Sequence, residues 1–366
     1  MKGKKISTLE DVLRNSSSPW MDGGGELGDV VISSRARLAR NLDDIPFPHL
    51  LSQKDADLVL EKVFDAVDRV GERGFGGPVI RADLKDLSPL DRQILVEKHL
   101  ISPQQAESGY GKGLALRQDE SVSIMVNEED HLRIQCLCSG LELYEAWIVA
   151  SGIDDLCDQI LDFAYDEKLG YLTACPTNAG TGLRASVMVH LPALAVTNEV
   201  SRVLTAVNKV GLVVRGLYGE GTEGQGNVFQ ISNQITLGQT EKEIIENLSL
   251  VANQVVTEEK RVRDALYKNH RLDVEDRVFR ALGILSNARV ITSDEAIKLW
   301  SDLRLGVEFH MVPEITISEV NEILVLSRPN FVQKAFGKAL SPKQRDIKRA
   351  DLIRKHLTNQ SSNQGA

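Results

Sequence analysis

The sequence predicts an α+β fold in two parts: a mixed strand-and-helix region from Asp29 to about residue 255, then a mostly helical one to about residue 358. Two observations carry this. Between Asp29 and Gly238, short segments rich in β-branched residues, such as "DVVIS", "SVSIMV" and "NVFQIS", alternate with stretches of helical spacing. From Thr240 onward the strand-like runs stop, and apolar residues recur at helical spacing instead.

Taken in order, residues 1–28 predict a short N-terminal extension. Its helix starts at a capping box of Ser7 and Glu10, and a flexible "DGGGELGD" follows. The strand candidates are "DVVIS", "SVSIMV", "HLRIQCLC", "LRASVMVHL", "LVVRGLY" and "NVFQIS". Alternation in "HLRIQCLC" puts Leu132, Ile134 and Cys136 on one face and Arg133 and Gln135 on the other. Three further helix starts are marked by Thr240 with Glu243, Thr292 with Glu295, and Ser341 with Gln344, the last with Pro342 at the first helical position. The polar "TNQSSNQGA" ending the chain predicts a disordered tail over residues 359–366.

Bulk properties exclude several classes. The 366 residues are 42% hydrophobic and 26% charged, an ordinary globular composition. A net charge of −9 argues against a general nucleic-acid partner, although a local basic pocket can hide within it. No apolar run approaches the ~20 residues of a membrane helix. The opening "MKGKKISTLEDVLRN" places acidic residues where a secretory signal is apolar, so a cytoplasmic location is expected. Four cysteines in so long a chain make no disulfide framework, and Cys136 and Cys138 read as core packing.

Five stretches carry chemistry. "VISSRARLARN" places Arg35 and Arg37 on one side of a strand, with Arg40 able to follow; they suit an anion or a solvated edge. In "VNEEDHLRI", Glu128, Glu129 and Asp130 sit at a turn that can bind a cation, take a proton or simply be wet, and His131 reads as structural. "CPTNAGTGLRAS" sets the Cys175 thiol and Arg184 on either side of two glycines, open to phosphate handling, thiol chemistry or a plain turn. "GEGTEG" at 219–224 fits a dinucleotide fingerprint, but a strand follows where that motif needs a helix, so a connection between two strands is the better reading. "RDIKRADLIRKHL" is a helix with Arg345 and Arg349 on one face beside Asp346. It is either a solvated basic face or a pocket for a ligand bearing both charges.

"SSRAR", "NEEDHLR", "CPTNAGTGLRAS", "RGLYGEGTE" and "VFQISN" occur together in the order and approximate spacing of the phosphagen (guanidino) kinases, and the chain resembles that family over about residues 29–255. The resemblance implies an antiparallel sheet flanked by helices, with ATP and Mg2+ as the donor pair and the metal held through the nucleotide. Small-molecule members carry a helical domain ahead of the "SSR" segment, and only 32 residues precede Ser33 here. Together with the "RDIKRA" of the helical C-terminal part, this resembles the bacterial branch whose acceptors are arginine side chains of proteins, marked thereby for a Clp protease.

The resemblance assigns Glu129 and Glu220 as the carboxylates that grip the acceptor guanidinium, and Cys175 as an orienting thiolate among arginines. It assigns the nucleotide to Ser33, Ser34, Arg35, Ala36 and Arg37, to His99 and Arg133, and to Arg184, Ala185, Ser186, Val187 and Met188. Arg215, Gly216, Leu217, Tyr218, Gly219 and Glu220 complete that set. Arg345, Asp346, Ile347, Lys348, Arg349 and Ala350 are implied to bind phosphoarginine. Protein substrates with exposed arginines, a Clp unfoldase or protease, an activator protein and a homodimer follow as expected partners. A kinase for a free guanidino metabolite and a non-catalytic phosphoarginine-binding regulator are the competing readings.

Overall fold

The computed structural model describes residues 8–216, 224–337 and 339–363. The strands are β1 (Val31–Arg40), β2 (Val79–Asp83), β3 (Gly113–Arg117), β4 (Val122–Val126), β5 (Leu132–Ser139), β6 (Tyr165–Asp166), β7 (Gly170–Tyr171), β8 (Leu183–His190), β9 (Leu212–Gly216) and β10 (Val228–Asn233). All but the small β6–β7 pair form one sheet in the order β2-β3-β4-β5-β1-β8-β10-β9. Every pairing in it is antiparallel. β9 and β10 are adjacent and antiparallel, unlike the parallel pair that a dinucleotide-type crossover joins; residues 217–223, with most of "GEGTEG", lie outside the described residues. β2 and β3 escape the sequence reading; "VIRAD" and "GLALR" are five residues each with little alternation.

Alternation divides the sheet into two faces. One carries Ala36, Leu38, Ile134, Cys136, Ala185, Val187 and Ile231 into a core with the helices Gln53–Phe75, Leu143–Asp158 and Glu241–Asn269. On the other, Leu114, Leu116, Leu137 and Met188 pack in a second core with the C-terminal helices, through Trp300, Ile323 and Ile353. The C-terminal helices therefore finish a core that the sheet begins. The helix Glu241–Asn269 runs straight through residue 255, where the sequence reading divides the chain.

Buried polar links stitch the same junction. Arg304 is fully buried on the helix Ser293–Glu308 and donates to the carbonyls of Gly28 (2.7 Å) and Asp29 (3.2 Å) and to His190 Nδ1 (2.9 Å). Glu259 accepts from the backbone N–H groups of Ala193 and Leu194, both at 3.0 Å, and from Arg263 Nε at 2.8 Å.

Three local expectations need correction. The first helix, Leu9–Arg14, is capped by Thr8 with Asp11 reciprocating, one residue beyond the Ser7–Glu10 pair; Ser7 lies outside the described residues. "DGGGELGD" is a packed turn: Gly28 N–H donates to Gly25 O at 3.1 Å, and a Cβ on Gly25 would lie 1.9 Å from Ser139 O. The last helix, Pro342–Asn363, carries helical backbone to residue 363 where a disordered tail is expected from 359. Once a turn is nucleated by the Ser341–Gln344 cap, each added residue gains a hydrogen bond and polar residues propagate it. The caps at Thr240 and Thr292 form as expected. Among the described residues no helix is long and apolar enough to cross a membrane.

Candidate active site

The register of four strands builds the site. On β1, Arg37 faces Gln135 of β5 on one side and Arg184 of β8 on the other. Arg35, two residues earlier, faces Leu137 and Ser186. Arg133 lies across from Ala39, and Arg215 of β9 across from Gln230 of β10. Side chains in register on neighbouring strands share a face. All five arginines accordingly line one cavity of about 470 Å³, together with His99, Glu129, Cys175 and Gly216.

Like charges this close, partly withdrawn from water, disfavour one another's protonation. Burial, with Arg133 and Arg184 nearby, pushes the Arg35 guanidinium down to about 10. Arg37 is pushed well below its ordinary range by burial and then by Arg35, Arg133 and Arg184. Arg184 is lowered by burial and by Arg215. The Nε atoms of Arg37 and Arg184 are buried with no acceptor among the described residues. Three buried arginines elsewhere do have carboxylate partners: Arg40, Arg263 and Arg304 pair with Asp154 (2.6 Å), Glu259 (2.8 Å) and Glu308 (3.3 Å). Among the described residues Arg35, Arg37, Arg184 and Arg215 have no such partner; Arg35 instead donates to Ser186 Oγ (3.3 Å) and Gln230 Oε1 (2.9 Å). A crowded cluster of guanidiniums, four of the five without a carboxylate partner among the described residues, is a site for a polyanion.

The acidic edge comes from the β4–β5 turn. Arg133 is gripped by Glu128 at 2.5 Å and Glu129 at 2.9 Å. Glu128 is buried, whereas the Glu129 side chain keeps 34% exposure and presents a carboxylate to the cavity. Asp130 points away: it accepts from Asn41 Nδ2 and from the backbone N–H of Ala174, both at 2.7 Å, and so fastens the Cys175 turn to β5. His131 is buried and structural, accepting at Nδ1 from Leu42 N–H (3.0 Å) and donating from Nε2 to Pro46 O (3.0 Å); burial pushes it to about 4. Cys175 is half-buried, its Sγ 3.1 Å from Thr177 Oγ1. Gly182, at φ +67°, passes so close to β1 that a Cβ would meet Ala39 O at 2.6 Å. The close approach is thus to a strand, and it sets Arg184 directly across from Arg37.

The expected residues separate by parity. Ser33, Ser186 and Met188 line a small pocket beside the arginines, with His99 and Trp20. Ser34, Ala36, Ala185 and Val187 do not: odd and even positions of a strand face opposite ways, and these four are buried on the other side. Ser34 Oγ donates to Gly140 O (2.8 Å) and accepts from Glu142 N–H (3.0 Å). Arg40 also departs from Arg35 and Arg37, turning into the core against Asp154 with Tyr171 stacked 3.4 Å below it. Leu217, Tyr218, Gly219 and Glu220 lie outside the described residues.

His99 adopts φ +61°, with Trp20 edge-on at 5.2 Å. It keeps some exposure to the cavity, yet desolvation and then Arg35 and Arg328 push it to about 3, so the imidazole is neutral. Its predecessors are anchored: Glu97 accepts from Asn330 N–H (3.1 Å) and Phe331 N–H (2.9 Å), and Lys98 donates to Glu120 (2.7 Å) and Val12 O (2.8 Å). Gln230 and Trp20 escape the sequence reading, which places Gln135 on the Arg133 face but gives it no role. The period of two from Arg133 and Met188's partner strand marks both glutamines; Trp20 has no such signal.

The C-terminal motif lies on the helix Pro342–Asn363. Arg349 is buried and donates to Ser327 O (2.6 Å), Ile291 O (2.9 Å) and Asp346 Oδ1 (2.5 Å). Arg345 is half-buried one turn earlier. Ala350 belongs to the second core, Ile347 is exposed, and Lys348 lies 4.7 Å from the Phe336 ring. Arg349→Ala strips donors from two carbonyls and a carboxylate, with an expected loss of about 3 kcal/mol, read from the urea unfolding midpoint.

The "ATP:guanido phosphotransferase, C-terminal catalytic domain" family model matches residues 59–262, and the "Protein-arginine kinase McsB C-terminal domain" model matches 271–366. The chain is 53% identical over 352 residues to a protein-arginine kinase of Pelotomaculum thermopropionicum, covering 96% of this chain and 99% of that one. It is 47% identical over 350 residues to the protein-arginine kinase of Bacillus subtilis strain 168, covering 96% of each. Among solved structures, a duplicated taurocyamine kinase from Schistosoma mansoni with bound transition-state-analogue components aligns at TM-score 0.59 and 24% identity, over 70% of this chain and 39% of that one. A lombricine kinase aligns at TM-score 0.55 and 22% identity, over 70% and 78%. These structures share the fold.

Proposed function

The chain belongs to the ATP:guanido phosphotransferase family, in its protein-arginine kinase branch, and from that premise we propose that it moves the γ-phosphoryl group of ATP onto arginine side chains of proteins. The observation that carries this reading is the cluster of five arginines, four without a carboxylate partner among the described residues, beside the half-exposed Glu129 and Cys175. Arg35, Arg37, Arg133, Arg184 and Arg215 neutralise the triphosphate, and His99 with Ser33, Ser186 and Met188 borders the nucleotide. Among the described residues no three His, Cys, Asp or Glu side chains gather as metal ligands, and the carboxylates nearest the cradle are engaged by Arg133. Mg2+ fits as an ion carried in on the phosphate oxygens, where it supplies further neutralisation.

A guanidinium is protonated at physiological pH and is nucleophilic only once a proton leaves. Glu129 holds it and accepts that proton from the attacking nitrogen; the N–P bond forms as the bond from phosphorus to the β-phosphate oxygen breaks, and ADP leaves. Glu220 is the second carboxylate of the pair. Cys175, at the edge of the cradle beside Glu129 and Arg184, orients the acceptor without forming a covalent intermediate. Cys175→Ser is expected to reduce turnover without abolishing it, measured as the initial rate of transfer; a trapped phosphocysteine overturns that role.

In the C-terminal part, Arg345 and Asp346 receive phosphoarginine, with Arg349 holding the Asp346 carboxylate in place. The double variant Arg345→Ala with Asp346→Ala is expected to lose phosphoarginine binding by calorimetry while ATP binding persists. The catalytic and helical units meet between residues 262 and 271. Marking of substrates for a Clp protease in stress, an activator protein, a homodimer and a cytoplasmic location complete the reading. Incubation with ATP and an arginine-rich protein tests it: the expected product gains phosphate by intact mass and loses it in acid, and an unmodified product refutes it.

A further inference from the structure

A second cavity, of about 460 Å³, adjoins the first. Glu129 lines both, and Ala174 lines the second while its neighbour Cys175 lines the first. The Glu129 side chain and the Ala174–Cys175 turn are therefore the partition between them. The other walls come from Pro48, His49 and Leu51 ahead of the helix Gln53–Phe75, from Gln104 and Tyr110, and from Asn127 of the β4–β5 turn.

The chemistry of these walls differs from that of the arginine cradle. No arginine lines them, and the Lys112 ammonium is turned to the backbone, donating to Gln104 O (2.7 Å) and Glu107 O (3.2 Å). Glu128 and Glu129 contribute carboxylates that also pair with Arg133, and of the two Glu129 keeps 34% exposure. Asn127 is 4% exposed; its Nδ2 donates to Ala56 O (3.0 Å) and Gly111 O (2.8 Å), while its Oδ1 is buried with no donor among the described residues. A buried acceptor left unpaired costs stability and marks a place for a donor. Tyr110 stands 65% exposed among the lining residues, an aromatic of the kind enriched where polypeptides dock. The cavity disfavours phosphate and favours a chain rich in N–H donors with a cationic side chain.

We infer that this second cavity seats the polypeptide flanking the acceptor arginine, whose guanidinium reaches past Glu129 to the cradle. The inference rests on the protein-arginine kinase reading and adds the surface that selects the acceptor. Tyr110 and Gln104 are then specificity-determining residues. The test is steady-state transfer from ATP to a short peptide with one central arginine, for the full chain, Tyr110→Lys, Gln104→Lys and Tyr110→Phe. A lysine in either place repels the cationic acceptor, so KM for the peptide is expected to rise about tenfold. KM for ATP is expected to stay unchanged, and Tyr110→Phe to keep the parent peptide KM. Unchanged peptide KM in both lysine variants overturns the inference, as does a parallel rise in the KM for ATP. A parent chain that phosphorylates no arginine at all refutes the underlying activity instead.

Discussion

Glu129→Gln is expected to suppress phosphoryl transfer by about 10²–10⁴-fold, the range of one positioned acid–base group. The change keeps the size of the side chain and removes its charge and its basicity. Arg133 still has Glu128 at 2.5 Å, so the arginine stays in place and the nucleotide cradle is preserved. ATP affinity, measured by calorimetry, is therefore expected to stay near that of the parent while the transfer rate collapses. A variant that phosphorylates an arginine-rich protein at the parent rate removes Glu129 from the chemistry. A variant that loses ATP binding in equal measure would mean that Glu129 serves the cradle through Arg133.

Arg37→Met is expected to lower kcat by on the order of 10²–10³, as for one preorganised donor to a transition-state charge. Arg37 sits at the centre of the register, with Arg184 across one strand boundary and Gln135 across the other. Its Nε is buried without an acceptor among the described residues, and desolvation and then three neighbouring arginines lower its pKa well below the ordinary range. Without a bound anion that position is unfavourable for the fold, so an apolar side chain of similar length is expected to raise the thermal unfolding midpoint of the nucleotide-free protein. Loss of activity with a gain in stability is the signature of a strained site. A variant that is both active and less stable contradicts the proposed role.

Much of the sheet was legible because strands announce themselves twice, by β-branched content and by alternation. Arg133 and Gln135 opposite Leu132 and Ile134 is the case where both signals agree, and the structure follows them. β2 and β3 were silent because five residues give neither signal enough length. The candidate site was legible as motifs and illegible as faces: a run such as "RASVM" suggests five contacts, while the pleat grants only Arg184, Ser186 and Met188 to the site. Arg40 failed for the same reason, an even-numbered position in a row of odd ones. Trp20 was hidden in the short turn Pro19–Met21, ahead of a glycine-rich stretch whose packing against Ser139 depends on partners more than a hundred residues away. The roles given to Glu129, Cys175 and the arginines came from the resemblance, since no spacing distinguishes a proton acceptor from a wet loop.

The pleat of β1 places its grease and its charge on one ribbon, a single residue apart. Point changes along it are separable events, each touching one side. A change in length is another matter, because inserting or deleting one residue between Arg35 and Leu38 would turn Arg37 toward Ile134 and Leu38 toward the phosphates. The irregularity between Val31 and Ser33 lies ahead of that stretch, where a slip has already been absorbed. Relatives that keep this catalysis should therefore vary in spelling along the strand while its letter count from Ser33 to Ala39 stays constant.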